Sequence, residues 1–198
     1  MVKVKRIMVY IHALMLSIIL FGCADIDLKS STLINENESG SVKLQIIYDD
    51  FISSKLKKDI IDHEWAKENN YLFNKYLKKN INVEEITYDF KNIKELEQKI
   101  NSSGLATMTY SKRIIMGENT YTIDLKFNKL VIDNLIKNNT DDYEKINGYI
   151  KNVKFTNEVK VPGIVVKSNA TGDIDENTKE WTYKLSQIDE DTAIVLSY

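Results

Sequence analysis

Cysteine and histidine, the side chains that most often carry covalent or metal chemistry, are scarce in this sequence of 198 residues. There is one cysteine, Cys23, and one of the two histidines, His12, lies in an apolar amino-terminal run. Without that run only His63 remains, which is too few histidines for a His-based metal cluster, and no G-x-S-x-G sequence marks a serine nucleophile. We therefore expect no catalytic residues, no metal site and no cofactor, and a protein that is not an enzyme.

Two short motifs begin like metal-binding sequences and then lack essential members. His63-Glu64 matches the start of the zinc-protease motif H-E-x-x-H, but Lys67 occupies the position of the second histidine. Residues 173–177 match the start of an EF-hand loop, but Thr178 and Lys184 replace the required glycine and glutamate. We expect a solvated helix face around His63 and a polar hairpin turn at residues 173–177.

The amino-terminal segment has the order of a secretory signal. Lys3, Lys5 and Arg6 form a positive region, and the apolar run Ile7–Phe21 follows. At about 15 residues this run is shorter than the roughly 20 that a membrane-spanning helix needs. We therefore expect a cleaved signal peptide rather than a permanent transmembrane anchor.

The end of this segment, Leu20-Phe21-Gly22-Cys23, resembles the lipobox of bacterial lipoproteins. Gly22 is the small residue before the cysteine, whereas Phe21 departs from the usual small residue. The resemblance implies cleavage between Gly22 and Cys23 and a diacylglyceryl group on the Cys23 sulfur, whose two acyl chains give stable anchoring. It places the protein on the outer, extracytoplasmic face of the cell membrane, and the abundance of Lys, Asn and Ile fits a Gram-positive source.

The net charge disfavours one class of partner. Removing Lys3, Lys5 and Arg6 from the 27 basic residues leaves 24 against 29 acidic residues, a net charge of -5. Nucleic-acid binding needs a basic surface that releases counterions, so we expect no nucleic-acid partner. The same sign argues against a general polybasic attraction to anionic lipid.

Composition divides the chain into three parts. Residues 1–22 are the signal peptide, and the polar residues 23–41 are predicted to be a flexible tether with a reach of roughly 20 to 25 Å. Residues 42–198 are predicted to form a single extracytoplasmic domain. Its fold class is predicted as α+β, a mostly antiparallel sheet with two or three helices packed on one face.

Hydrophobic periodicity gives the predicted elements of that domain. A capping box at Asn92 and Glu95 starts one helix, and Gly104 ends it. Two runs around Gly117 form a β-hairpin. The predicted strands are 42–48, 84–90, 105–116, 121–127, 153–161, 164–167, 181–185 and 193–196. The predicted helices are 53–80, 92–103 and 130–137, and the first is either continuous or divided in two at Asn69-Asn70. The lysines of helix 53–80 form either a solvated face or a contact with anionic headgroups.

The carboxyl-terminal part is similar to the end of the LppM-like lipoprotein domain family. In that family Pro-Gly opens a strand, Ser-Asn begins a hairpin turn and an aromatic residue starts the returning strand. The matching residues here are Pro162, Gly163, Val165, Ser168, Asn169 and Trp181. Ala170 departs from the glycine that the family favours. The resemblance implies an α+β domain with an amphiphile-binding cavity, and the shared motif is structural rather than ligand-binding.

These features predict a membrane-anchored binding or interaction module for a lipid or another envelope component. Two alternatives stay open. One is a carboxylate-dependent hydrolase of envelope glycans that uses one of the acidic groups at 49–50, 141–142 or 189–191. The other is a surface adhesin, which sequence alone does not separate from a binding module.

Overall fold

The computed structural model describes residues 26–50, 53, 59–104, 106–115, 118–130, 153–189 and 192–198. The signal peptide and Cys23 lie outside these residues. The described part of the chain forms eleven strands and two α-helices, and neither helix is long and apolar enough to cross a membrane. The elements in chain order are β1 Ile26–Ile34, β2 Gly40–Asp49, α1 His63–Glu68, β3 Leu72–Lys78, β4 Ile81–Phe90, α2 Ile93–Ser103, β5 Ala106–Ile115, β6 Glu118–Phe127, β7 Lys154–Lys160, β8 Lys167–Ser168, β9 Gly172–Asp175, β10 Thr178–Lys184 and β11 Ala193–Ser197, with a 3-10 turn at Leu185–Gln187 before β11.

The strands form two sheets. The larger sheet has the strand order β3-β4-β2-β1-β7-β10-β9, and the smaller has the order β5-β6-β11-β8. Every pairing is antiparallel except β1 with β7, which is parallel. The predicted mostly antiparallel architecture is confirmed. The prediction of two or three helices on one face overstated the helical content, because strands dominate the fold and the second layer over the larger sheet includes a sheet.

The predicted tether at residues 23–41 is wrong from Ile26 onward. Residues 26–34 form β1, which lies in the middle of the larger sheet between β2 and β7. The interior side of β1 includes the small polar residues Ser30 and Thr32. The sequence of this strand therefore lacks the alternation of apolar and polar residues that marks a half-buried strand. On the opposite side Lys29 forms an ion pair of 2.9 Å with Glu158 of β7. Central pairing on both edges therefore outweighs the polar composition of this strand.

The predicted helix 53–80 is also wrong for most of its described length. Helix α1 covers only His63–Glu68, and Asn70 follows it with a left-handed φ of 60°. Residues 72–78 form β3, which pairs along its whole length with β4. The β3–β4 turn has positive φ at Lys79 and Asn80, 51° and 64°, as a type I′ hairpin turn requires. Residues 54–58 lie outside the described part.

Other predicted elements are confirmed. Asn92 caps α2 by accepting a hydrogen bond from the Glu95 backbone N–H at 3.0 Å, and Gly104 ends it with φ of 71°. The β5–β6 hairpin pairs in a continuous antiparallel register. Strands β2, β4, β7, β10 and β11 match predicted strands within a few residues. The strand predicted at 164–167 is wrong except at Lys167, where the two-residue strand β8 begins, and helix 130–137 falls outside the described residues after Leu130.

Buried apolar side chains form two clusters on the interior face of the larger sheet. The larger cluster joins that sheet to α2 and to the smaller sheet, and the smaller cluster lies near α1. Members of the larger cluster are Ile34, Phe90, Ile93, Leu96, Met108, Ile123, Val159, Val161, Trp181, Ile194, Leu196 and Tyr198. Members of the smaller cluster are Ile46, Tyr48, Ile60, Ile61, Ala66, Ile86 and Val153.

Candidate functional site: an interior cleft between two clusters

One row of side chains crosses the interior face of the larger sheet between the two clusters. Strand register fixes its members, because paired residues point to the same face of a sheet. In order from β3 to β10 the row contains Phe73, Ile86, Leu44, Ser30, Asn157 and Trp181. Its two ends are apolar, and its middle holds a leucine beside two small polar side chains.

Leu44 is uncovered although it belongs to the interior face. Its exposed fraction is 43%, whereas that of Ile46, the next interior residue of β2, is 3%. Ser30, its neighbour in the row, and Asn157, which follows Ser30 in the row, are buried polar residues. The layer that covers the larger sheet is therefore incomplete at Leu44, and we name the space over Leu44, which Ser30 and Asn157 border, the interior cleft.

An aromatic pair connects the two clusters on the β3–β4 side of the interior cleft. Tyr71 packs against the smaller cluster and Tyr88 against the larger one, and their rings lie 5.9 Å apart, edge to face. Lys99 Nζ of α2 lies 5.0 Å from the Tyr71 ring centroid and 5.1 Å from that of Tyr88. A cation thus lies beside the aromatic wall.

The orientation of Tyr88 is fixed from the helix side. Its hydroxyl donates a hydrogen bond of 2.8 Å to Glu95, the residue at the third position of α2. Burial and this contact with Glu95 raise the pKa of Tyr88 to about 12. Tyr88 is therefore a neutral hydrogen-bond donor at physiological pH.

A second aromatic pair lies on the β7 side. Phe127 of β6 and Phe155 of β7 meet edge to face at 5.7 Å. Phe155 shares its interior row with Leu28 of β1, and Phe127 packs on the larger cluster. An apolar floor with few polar groups and aromatic sides is the usual lining of a site for an apolar ligand with a polar end.

A buried carboxylate, Glu84, lies one row away from the interior cleft on β4. It accepts hydrogen bonds from Tyr48 Oη at 2.5 Å and from the Ile61 backbone N–H at 2.6 Å. Lys75 Nζ lies 3.6 Å from Glu84 and 2.6 Å from Asp59. Burial raises the pKa of the Tyr48 hydroxyl, and the hydrogen bond to Glu84 adds to this effect. Glu84 thus holds the segment around Ile61 against the sheet, which is a structural role.

The residues of the carboxyl-terminal motif meet where the two sheets join. Trp181 is fully buried, and its Nε1 donates to Asn169 Oδ1 at 2.8 Å. Asn169 Oδ1 also accepts from the Val195 backbone N–H at 2.8 Å, and its Nδ2 donates to the Ala193 carbonyl at 2.7 Å. The Asn169 amide therefore links β10 of the larger sheet to β11 of the smaller one.

The other motif residues surround this amide. Ser168 pairs with Leu196 of β11, and Val165 packs on the larger cluster. Pro162 and Gly163 form the bend that precedes them, with Tyr198 beside Gly163. None of these contacts reaches Leu44 in the described structure, so the motif is part of the framework.

The two incomplete metal motifs have ordinary structural roles. The His63 ring lies 5.0 Å from the Phe73 ring. Asp173 pairs with Lys179 at 3.0 Å, and Asp175 accepts from the Asn177 backbone N–H at 3.0 Å in the β9–β10 turn. Within the described ranges no three His, Cys, Asp or Glu side chains are grouped so that they could hold a metal ion.

The predicted acidic sites are only partly described. Asp50 follows β2 and accepts from Asn82 Nδ2 at 2.9 Å, and Asp189 follows the 3-10 turn. The pair 141–142 and residues 190–191 lie outside the described residues, as do Gly22 and Cys23. The interior cleft itself was missed, because its only sequence signal is the polar character of Ser30 and Asn157 on the interior side of two strands.

Comparison with known proteins gives information on the fold. No protein-family model and no curated protein matches the sequence. The NMR structure of the folded domain of LppM from Mycobacterium tuberculosis matches with a TM-score of 0.53 and 14% sequence identity, over 87% of this chain and 88% of that one. The fold is LppM-like. At 14% identity the match shows similarity of fold alone. This fold agrees with the one expected from the carboxyl-terminal motif.

Proposed function

We propose that this protein is an extracytoplasmic, membrane-anchored lipoprotein that binds one chain of an amphiphile in the interior cleft and has no catalytic role. The observation that carries the proposal is the exposure of Leu44 on the face where its neighbours are buried. An alkyl chain over Leu44 would cover that surface, and each methylene that leaves water contributes about 0.8 kcal/mol. Ten such groups would therefore contribute on the order of 8 kcal/mol before ordering costs.

Polar groups near the interior cleft would orient the ligand. Ser30 and Asn157 place a buried hydroxyl and a buried amide at the β7 side of the cleft, and Lys99 lies against the aromatic wall of Tyr71 and Tyr88. A buried hydroxyl or amide favours a ligand that supplies a matching hydrogen bond. We infer that the ligand has a polar or anionic group at one end of its apolar part.

The anchor in this proposal rests on the sequence. The positive and apolar signal regions, followed by Leu20-Phe21-Gly22-Cys23, support lipid attachment at Cys23. The LppM-like fold supports it indirectly, because the carboxyl-terminal motif resembles that lipoprotein domain family. A binding module on the outer face of the membrane would meet its amphiphile where that amphiphile is concentrated.

The test is binding of a fluorescent long-chain fatty acid to the domain expressed without residues 1–23. Leu44→Trp should fill the interior cleft and weaken binding at least about tenfold, which corresponds to about 1.4 kcal/mol. Leu33→Trp is the matched control, because Leu33 has a similar exposed fraction, 41%, on the opposite face of the adjacent strand. Equal binding by both variants would show that the ligand does not occupy the interior cleft.

A further inference from the structure

The lipid on Cys23 would be close to one end of the larger sheet. Because β1 begins at Ile26, only Ala24 and Asp25 separate it from Cys23. Three residue steps span at most roughly 10 Å. An anchored chain must therefore hold the end of the sheet at which β1 begins within about that distance of the membrane surface.

Strand register identifies what else lies at this end. Ile26 pairs with Tyr48, Tyr48 with Asn82, and Asn82 with Leu77. The β3–β4 turn lies just beyond this row, on the side of the sheet from which Cys23 enters. Since neighbouring strands are about 4.8 Å apart, β4 and β3 lie roughly 10 and 14 Å from β1. The turn and the lipid are therefore within a short distance of each other.

The hairpin tip, which we define as Leu77–Ile81, has the side chains of a membrane-surface contact. Leu77 and Ile81 have exposed fractions of 61% and 43%, and Lys78, Lys79 and Asn80 are exposed between them. Neither lysine pairs with an acid among the residues that the structure describes. Lysine stems can lie along the apolar boundary while their ammonium groups contact phosphates.

Lys79 is an unusual residue for its position. Its φ of 51° lies in the left-handed region, which non-glycine residues avoid and in which asparagine is enriched. The sequence thus keeps a lysine where Asn or Gly would be less strained. Strain of this kind is a reason to look for a role of the side chain.

Charges elsewhere at this end of the sheet are mixed. Lys154 and Lys184 pair across β7 and β10, and both are exposed. Three acids, Asp27, Asp49 and Asp50, lie at the same end, and each already interacts with another group. The hairpin tip is therefore the part of this end in which exposed apolar side chains occur together with lysines that pair with no acid of the described residues.

We propose that the hairpin tip docks on anionic lipid headgroups of the leaflet that holds the Cys23 lipid. This inference rests on the proposed anchor and adds an orientation to it. Leu77 and Ile81 contact the apolar boundary, and Lys78 and Lys79 contact phosphate groups. The β1–β2 turn at residues 35–39 then points away from the membrane, at the far end of a nine-residue strand about 30 Å long.

The experiment uses the full chain, processed in a bacterium and reconstituted into vesicles of equal parts phosphatidylcholine and phosphatidylglycerol. Because Cys23 carries the lipid, a bimane label reacts only with a newly introduced cysteine. Leu77→Cys places the label on the hairpin tip, and Glu36→Cys places it on the exposed β1–β2 turn as the matched control. Brominated lipids should quench bimane at Leu77 several-fold more than at Glu36.

A second comparison tests the charge. Lys78→Gln with Lys79→Asn, made in the Leu77→Cys background, removes both cations and keeps a residue that tolerates the left-handed turn. Quenching should fall several-fold in this variant, and likewise when phosphatidylcholine alone is used. Quenching that is the same in all these cases would overturn the role of anionic headgroups.

The failures of the two proposals are distinguishable. If the unsubstituted chain does not remain with the vesicles, the anchor at Cys23 is wrong. If it remains with them but bimane is quenched equally at Leu77 and Glu36, the anchor stands and the docking of the hairpin tip is overturned.

Discussion

Replacing Asn169 with alanine should destabilise the domain strongly, because this amide makes three hydrogen bonds where the two sheets join. Asn169 accepts from Trp181 Nε1 and from the Val195 N–H, and it donates to the Ala193 carbonyl. The variant leaves the indole N–H of a fully buried tryptophan without its partner. It also removes the two bonds by which the Asn169 amide is held to β11.

The magnitude follows from these three bonds. A buried donor left without a partner costs about 1 to 3 kcal/mol, and an ordinary hydrogen bond contributes about 1 kcal/mol. We therefore expect the free energy of unfolding to fall by about 3 kcal/mol in Asn169→Ala. Asn169→Asp keeps the acceptor for Trp181 and should lose less.

Urea unfolding of the domain, followed by tryptophan fluorescence, measures this change. Asn101→Ala is the matched control, because the Asn101 amide also bonds a strand, donating to the Met108 carbonyl at 3.0 Å and accepting from its N–H at 2.7 Å. It leaves no buried indole unpaired, so a loss of about 1 to 2 kcal/mol is expected. Equal losses in Asn169→Ala and Asn101→Ala would show that the unpaired Trp181 indole adds no cost.

Three further predictions concern stability. Gly40→Ala should lower the free energy of unfolding by about 3 kcal/mol or more in urea, because a Cβ would lie 1.9 Å from the Leu33 carbonyl oxygen. Gly163→Ala is the control and should be nearly neutral, because its Cβ would meet only Tyr198, at 3.6 Å. Glu84→Ala should lower the free energy of unfolding by about 3 to 5 kcal/mol, since the Tyr48 hydroxyl and the Ile61 N–H lose their buried acceptor. A loss under about 1 kcal/mol would contradict the structural role of Glu84. Hydrogen bonds from the Lys91 N–H and, to a smaller extent, from the Tyr88 hydroxyl hold the pKa of Glu95 below 4.5. The ionised Glu95 therefore contributes stability above pH 4.5, and this contribution is lost as the pH falls through the lowered pKa. Urea midpoints measured on acidification should therefore fall less in Glu95→Gln than in the parent, and parallel pH profiles would contradict this.

Capping residues and hydrophobic periodicity correctly predicted the elements in which these sequence patterns are unambiguous. Helix α2 has a capping asparagine, an amphipathic face and a carboxyl-terminal glycine, and β4 and the β5–β6 hairpin alternate clearly. In contrast, Leu72, Phe73, Tyr76 and Leu77 fit helical spacing as well as a strand. Pairing of β3 with β4 decides between the two, and that pairing is tertiary information.

The candidate site depends on contacts between distant parts of the chain. Ser30 and Asn157 become neighbours only through the parallel pairing of β1 with β7. The exposure of Leu44 depends on where the covering layer stops, which no local pattern encodes. The lipobox predicts lipid attachment, but the two-residue distance from Cys23 to β1 appears only once residues 26–34 are seen to form a strand.

Photo-crosslinking tests the central proposal, an amphiphile in the interior cleft, most directly. A long-chain fatty acid with a diazirine on its chain would be bound to the domain, irradiated, and its attachment sites mapped by mass spectrometry. We expect labelling of peptides that contain Leu44, Ser30 and Asn157, and competition by unlabelled fatty acid. Labelling confined to Leu33 and other residues of the opposite face would contradict it.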